Sequence, residues 1–261
     1  VNSPGRETHV SITPDGKTLY FASDRKEKNR VQFGGLDLYR SSKLPNGDWS
    51  VAENLGNIIN SPYDENGPFI HPNGKRLYFS SKGHKNMGGY DIFYSDLNDD
   101  GTWTTPTNIG YPINTTSDDI YYVETANGKR AYYSSVNAEK GLGANDIYIA
   151  EMMDRKEVPL TVVSGNIELM NKEGILLDAT VIVKNLTSDD ETKYKPNAST
   201  GKFLFILLPE KKYEISYLIE DSIIAIELLN IEGNAYQNFK RLVTLDGKIT
   251  EIGRASCRER V

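Results

Sequence analysis

The stretch NSPYDENGPFIHPNGKRLYFSSKGHKNMGGYDIFYSD, residues 60–96, decides the fold. It opens on Asn60, places an acid five residues later at Glu65, and reaches a turn glycine fourteen residues after the Asn at Gly74. The turn reads HPNGK, residues 71–75. Asn-Gly is a strong hairpin signal, because a type I′ turn needs positive φ at both central residues. An aromatic strand follows, Leu77-Tyr78-Phe79, and a Gly-Gly dipeptide leads to a third strand, Tyr90-Asp91-Ile92-Phe93.

Outward from this stretch the same spacing recurs on both sides. Asn2, Glu7 and Gly16 precede it, and Asn114, Asp119 and Gly128 follow it. The matching turns are TPDGK (13–17) and TANGK (125–129), and the matching strands are Leu19-Tyr20-Phe21 and Ala131-Tyr132-Tyr133. Strand alternation puts Leu19 and Phe21 on one face and Tyr20 on the other. The third strand recurs as GGLDLY (34–39) and GANDIY (143–148), so Asp37, Asp91 and Asp146 share one position. A fourth strand carries the only tryptophans. Trp49 precedes Asn54-Leu55-Gly56 and Trp103 precedes Asn108-Ile109-Gly110, with the next repeat Asn 11 residues after each Trp.

Units of four short strands repeating every 54 to 58 residues are β-propeller blades. Their period of two excludes a helical solenoid. The reading places a propeller fragment at 1–153, with blades at about 1–56, 57–110 and 111–153. The third unit has no Trp strand. It is expected to be the last blade, its outer strand supplied from upstream sequence, with an unpaired edge beside 143–150. Val1-Asn2-Ser3-Pro4 reads as the tail of an upstream Trp…Asn-Leu-Gly segment, so the chain is expected to begin inside a longer propeller.

A linker is expected at 154–158 and a second domain at 159–251. There the Tyr and Gly-Gly pattern gives way to strands rich in Val, Ile and Leu, expected at 160–169, 179–186, 192–197, 202–208, 212–219, 223–230 and 239–245. Seven short strands in so short a span suggest an immunoglobulin-like or transthyretin-like β-sandwich, and the fold class is all-β. The acidic run 188–191 is read as a solvated turn.

Residues 252–261, IGRASCRERV, look like a sequencing adapter translated in one frame, and are expected to pack on nothing. The one cysteine, Cys257, lies there, so no disulfide or cysteine metal site is expected. Without Arg254, Arg258, Arg260 and Glu259 the chain keeps 27 basic and 35 acidic residues, a net charge of −8. That balance argues against nucleic acid and anionic membrane surfaces as partners. No apolar run reaches about 18 residues, so no direct membrane insertion is expected.

Glu7, Glu65 and Asp119 could serve as paired carboxylates in acid–base chemistry. Because each sits at the same place in its unit, the reading is structural: they hold blades together by accepting backbone N–H bonds. Asp37, Asp91 and Asp146 are read the same way. The three histidines, His9, His71 and His84, form no HExxH pattern, and no GxSxG elbow is present. Ser199-Thr200-Gly201-Lys202 lacks the first glycine of a phosphate loop and reads as a turn. Asp99-Asp100-Gly101-Thr102-Trp103 resembles the Asp-box turn of sialidase propellers, one residue short. Tyr111, Tyr121 and Tyr122 are candidates for a binding surface. No catalytic, cofactor-binding or metal residue is assigned and no cofactor is expected. The expectation is a non-enzymatic binding scaffold; the alternative is a propeller enzyme acting on carbohydrate or peptide.

The PDGKxLYF…GGxDIY…W…N-L-G…I-N pattern resembles the WD40-like PD40 repeat related to the TolB propeller. The Asn-Leu-Gly and Ile-Asn versions resemble OmpA-family envelope proteins, including PorE-type components of the type IX secretion system. Gly165-Asn166-Ile167, Ala179-Thr180-Val181 and Gly201-Lys202-Phe203…Leu208-Pro209…Tyr213 resemble the carboxypeptidase-regulatory-like domain that follows such propellers, with Lys211 where that module has Gly. The resemblance spans roughly residues 1–250. It implies a periplasmic, outer-membrane-associated scaffold that binds a protein partner in the envelope. It implies peptidoglycan binding only through a downstream domain that these residues do not include.

Overall fold

The structure is a computed structural model that describes residues 1–26, 32–136, 141–153, 155–170, 175–233 and 235–252. The chain divides into two units, Val1–Lys156 and Glu157–Val261. The division falls within the expected linker, 154–158, of which Asp154 lies outside the described residues.

The first unit is three propeller blades. Blade one comprises β1 (Glu7–Ile12), β2 (Thr18–Ser23), β3 (Asp37–Ser42) and β4 (Glu53–Asn54), paired in that order. Blade two repeats it with β5 (Glu65–Ile70), β6 (Arg76–Ser81), β7 (Asp91–Asp96) and β8 (Thr107–Asn108). Blade three has β9 (Asp119–Glu124), β10 (Arg130–Ser135) and β11 (Asp146–Glu151) only. Among the described residues β11 is therefore an edge, as expected from the missing Trp strand. The Trp segments add single bridges, Lys43 with Trp49 and Leu97 with Trp103, ahead of β4 and β8.

Gly16, Gly74 and Gly128 close the first hairpin of each blade with φ of 67°, 72° and 72°. At this value an L side chain is disfavoured, so the turn glycines of the repeat have a direct conformational cause. Each blade buries both faces where a neighbour covers it. Tyr20, Ala22 and Leu38 of blade one pack with Ile59, Ile70, Leu77, Phe79 and Phe93 of blade two. Tyr78 and Ile92 of blade two pack with Ile113, Tyr122 and Ala131 of blade three. The first strands of successive blades, β1 with β5 and β5 with β9, contact one another, as the inner strands of a propeller do.

The second unit is a β-sandwich of two four-stranded sheets. One sheet orders β15 (Lys202–Leu207), β12 (Thr161–Ile167), β18 (Gln237–Val243) and β19 (Ile249–Glu251). The other orders β14 (Glu191–Tyr194), β13 (Ala179–Asn185), β16 (Lys211–Ile219) and β17 (Ser222–Ile231). Alternation works as read: Val181 and Val183 point inward from β13, and Phe203, Phe205 and Leu207 from β15, into one core with Ile215, Tyr217 and Val243. Arg241 of β18, only 6% exposed, meets Glu227 of β17 at 2.7 Å and so ties the two sheets together by charge. The seven expected strands are present, and β19 is an eighth that the sequence reading did not include.

Of the expected adapter-like tail, residues 253–261 lie outside the described residues. Ile252 departs from the expectation that the tail packs on nothing. It extends the last ladder, its N–H donating to the Lys240 carbonyl at 3.0 Å.

Candidate functional site

The repeated acids occupy one geometry. Glu65 is fully buried and accepts from the Ser61 N–H (2.9 Å), the Ser61 hydroxyl (2.6 Å) and the Ser81 hydroxyl (2.7 Å). Asp119, also fully buried, accepts from the Thr115 N–H (2.6 Å) and hydroxyl (3.0 Å). Glu7 accepts from the Ser3 N–H (3.2 Å) and hydroxyl and from Ser23 (3.0 Å), and pairs with Arg25 at 3.1 Å. In each case a residue four positions earlier closes a loop onto the carboxylate. For Glu7 and Glu65 the serine ending the second strand fastens that loop to the sheet. The acids thus bind within their own blade.

The joint between blades, which the sequence reading assigned to the acids, is made by other members of the repeat. Asn60 accepts from the Leu38 N–H at 2.7 Å and donates to the Leu38 carbonyl at 3.0 Å, so blade two grips β3 of blade one as a strand would. Asn114 does the same to Ile92 at 2.8 Å in both directions. Each also donates to the Asn of the Asn-Leu/Ile-Gly segment, Asn54 (2.8 Å) or Asn108 (2.7 Å). Those two in turn donate to Asp37 (2.7 Å) and Asp91 (2.8 Å), whose carboxylates also gather loop amides from Phe33, Gly34 and Met87. Asp146 gathers the Leu142 and Gly143 amides, and among the described residues no carboxamide reaches it, because blade three has no fourth strand. Asn2 is exposed.

Two further repeat positions went unread. Asp64 accepts from the Leu36 N–H at 2.9 Å and Asp118 from the Tyr90 N–H at 2.8 Å, again between blades. Their signal was present as the acid one residue before Glu65 and Asp119. The Gly-Gly dipeptides make room for this contact. A Cβ on Gly34 would lie 1.6 Å from the Tyr63 carbonyl oxygen, and one on Gly88 would lie 2.4 Å from the Thr116 carbonyl carbon.

The electrostatics differ among the acids. Burial pushes the Glu65 carboxyl up to about 7, against the lowering bonds from Ser61 and Ser81, and nearby Asp37 adds to the rise. Burial raises Asp119 too. Burial also acts upward on Glu7, but its serine bonds and Arg25 outweigh it and hold it below its ordinary value. The folded chain therefore holds a proton on Glu65 that the unfolded chain releases above its ordinary value of 4.5. The contribution to stability is full below pH 4.5 and is lost as pH rises through about 7, a loss on the order of 3 kcal/mol. Glu65→Gln should remove this slope, since the Ser61 and Ser81 hydroxyls can turn to accept from the amide. Denaturant titrations from pH 4.5 to 7 check it; an unchanged slope in Glu65→Gln would assign the proton to another group.

A second cluster was not foreseen. Glu124, 3% exposed, accepts from the Tyr78 hydroxyl and pairs with Arg155 at 2.7 Å. Burial, reinforced by the Glu124 charge, pushes the Tyr78 phenol up to about 12. His71, 2% exposed, takes the Asn73 N–H on Nδ1 at 3.1 Å, and burial lowers its pKa. Glu124 stands where blade two has Ile70, so nothing in the shared pattern announces it. His84 lies elsewhere, Nε2 against the Ile59 carbonyl at 2.9 Å. Of the tyrosines singled out for a binding surface, Tyr111 is 79% and Tyr121 37% exposed, whereas Tyr122 is core.

Among the described residues, blade three exposes apolar side chains that the other blades bury. Ile147 is 80% exposed where its counterparts Leu38 and Ile92 are fully buried, and Tyr132 is 41% exposed where Tyr20 and Tyr78 are at 4% or less.

No protein-family model and no curated protein matches this chain. Among solved structures it is similar to TolB from Acinetobacter baumannii, at 12% identity and a TM-score of 0.38 over 87% of this chain and 44% of that one. It is similar to a putative TolB from Agrobacterium tumefaciens, at 14% and 0.39 over 78% of this chain and 58% of that one. It is also similar to an alpha-L-arabinofuranosidase from Lactobacillus brevis, at 12% and 0.37 over 98% and 86%. The chain spans less than two thirds of the two TolB structures.

Proposed function

We propose that this chain is a non-enzymatic, protein-binding scaffold of the bacterial envelope, periplasmic and associated with the outer membrane. In this reading it belongs to an OmpA-family protein with a PD40-type propeller and a carboxypeptidase-regulatory-like sandwich, linking a type IX secretion machine to the cell wall. One observation carries the reading. The repeated carboxylates are engaged by hydroxyls and amides of their own blades, and catalysis needs unlike groups converging on one substrate atom.

The test is a panel of chromogenic glycosides and peptides with the full chain and with Glu65→Gln, which keeps the bonds around position 65. No turnover above buffer is expected from either. Turnover by the wild type that Glu65→Gln abolishes at unchanged melting temperature would replace the scaffold by a carbohydrate- or peptide-processing propeller.

A further inference from the structure

The inner strands of all three blades carry the same irregularity. His9, Gly67 and Tyr121 each lie two residues after the repeated acid and take left-handed backbone, with φ of 37°, 56° and 61°. The ladder slips at each: between Thr8 and Val10, between Asn66 and Phe69, and opposite Tyr121 between Tyr132 and Ser134. Bulges of this kind re-aim side chains, and left-handed backbone at a histidine and a tyrosine is strain that persists where the fold imposes it, commonly at ligand contacts.

The side chains so aimed meet across blades. Asn66 Oδ1 accepts from Thr8 Oγ1 at 3.0 Å, from His9 Nδ1 at 3.0 Å and from the Gly67 N–H at 2.9 Å. The His9 and Tyr121 rings lie 4.3 Å apart, inclined by 31°. Gly67 leaves the space for this, since a Cβ there would sit 2.9 Å from Tyr121 Cδ1.

We infer that Thr8, His9, Asn66 and Tyr121 form a recognition site for a neutral secondary amide. Three donors saturate Asn66 Oδ1, so its carboxamide turns both Nδ2–H bonds toward a ligand, and among the described residues no protein group accepts from them. Because His9 Nδ1 donates, Nε2 of the neutral imidazole is an acceptor. Amide donors on Asn66 and an acceptor on His9 complement the C=O and N–H of one amide, and the aromatic faces suit its apolar flanks. Thr8, Asn66 and Tyr121 carry no charge, so an ion is the poorer fit. The amide has two sources, the backbone of an extended peptide and the N-acetyl group of an amino sugar.

The test is a nuclear magnetic resonance titration of the full chain with N-acetyl-tetra-alanine amide and, separately, N,N′-diacetylchitobiose. Saturable shifts of the Asn66 side-chain amide and of His9 and Tyr121 are expected with one of them, and the arm that saturates names the source. Asn66→Asp keeps an acceptor for Thr8, His9 and Gly67 but removes both donors, so it should weaken binding about tenfold. Should Asn66→Asp disturb the whole spectrum, Tyr121→Asn, which removes the aromatic face and tolerates left-handed backbone, makes the same comparison: binding weakened severalfold supports the site. Absence of shifts with both probes, or unchanged binding in the variant compared, overturns it. The site stands apart from the scaffold reading, so its failure leaves the hydrolysis comparison as it was.

Discussion

Glu65→Ala is expected to lower the melting temperature of the propeller unit by roughly 10 °C, measured by calorimetry or circular dichroism at pH 4.5, where ionising Glu65 costs the folded chain almost nothing. The substitution deletes an acceptor that holds three donors: the Ser61 N–H, the Ser61 hydroxyl and the Ser81 hydroxyl. The site is closed to solvent, so those donors lose their partner without gaining water. A lost hydrogen bond that strands a buried group costs about 1–3 kcal/mol, and the hydroxyls can find other acceptors while the N–H cannot. A total of about 3 kcal/mol follows, and at some 2–4 °C per kcal/mol for a unit of this size the shift is of the order stated. The same change at Glu7 should cost less, because Glu7 is only partly buried and solvent can reach its partners. Equal losses at both positions would contradict the role of burial. No loss at Glu65 would remove the acid from the list of fasteners.

Gly34→Ala should cost still more, about 3 kcal/mol or above, and Gly88→Ala should behave alike. In both, the added methyl would fall on backbone of the following blade, at 1.6 Å from the Tyr63 oxygen or 2.4 Å from the Thr116 carbon. Backbone cannot rotate away as a side chain can, so the two blades must separate. Separation lengthens the Leu36–Asp64 bond beside Gly34 and the Tyr90–Asp118 bond beside Gly88. Gly47→Ala is the control, because its Cβ would meet nothing within 4 Å, and it isolates the penalty for positive φ at a turn glycine. Denaturant unfolding of the three variants checks the ranking, with Gly47→Ala losing least. A Gly34→Ala protein as stable as Gly47→Ala would mean that the blades do not approach this closely.

The residues themselves determined whatever depends on local backbone preference and on repetition. Asp-Gly and Asn-Gly placed the hairpin turns, alternation placed the strands, and the recurrence of Asn, acid and turn Gly identified blades and their equivalent positions. The Asn-Leu-Gly segments were legible as fourth strands for the same reason, and so was the absence of one after β11. What only the tertiary structure decided was which repeat position faces which partner. Spacing alone cannot tell an acid that closes its own loop from an asparagine that grips the next blade, because both recur with the same period. Asp64 and Asp118 were hidden by standing next to the acids that drew attention. Glu124, Arg155 and His71 belong to one interface and repeat nowhere, so periodicity carries no trace of them. The left-handed backbone at His9 and Tyr121 was equally unreadable, since it is uncommon for any non-glycine residue and disfavoured for tyrosine. There the packing of three inner strands around Gly67 outweighs local preference, and sequence reports local preference most directly.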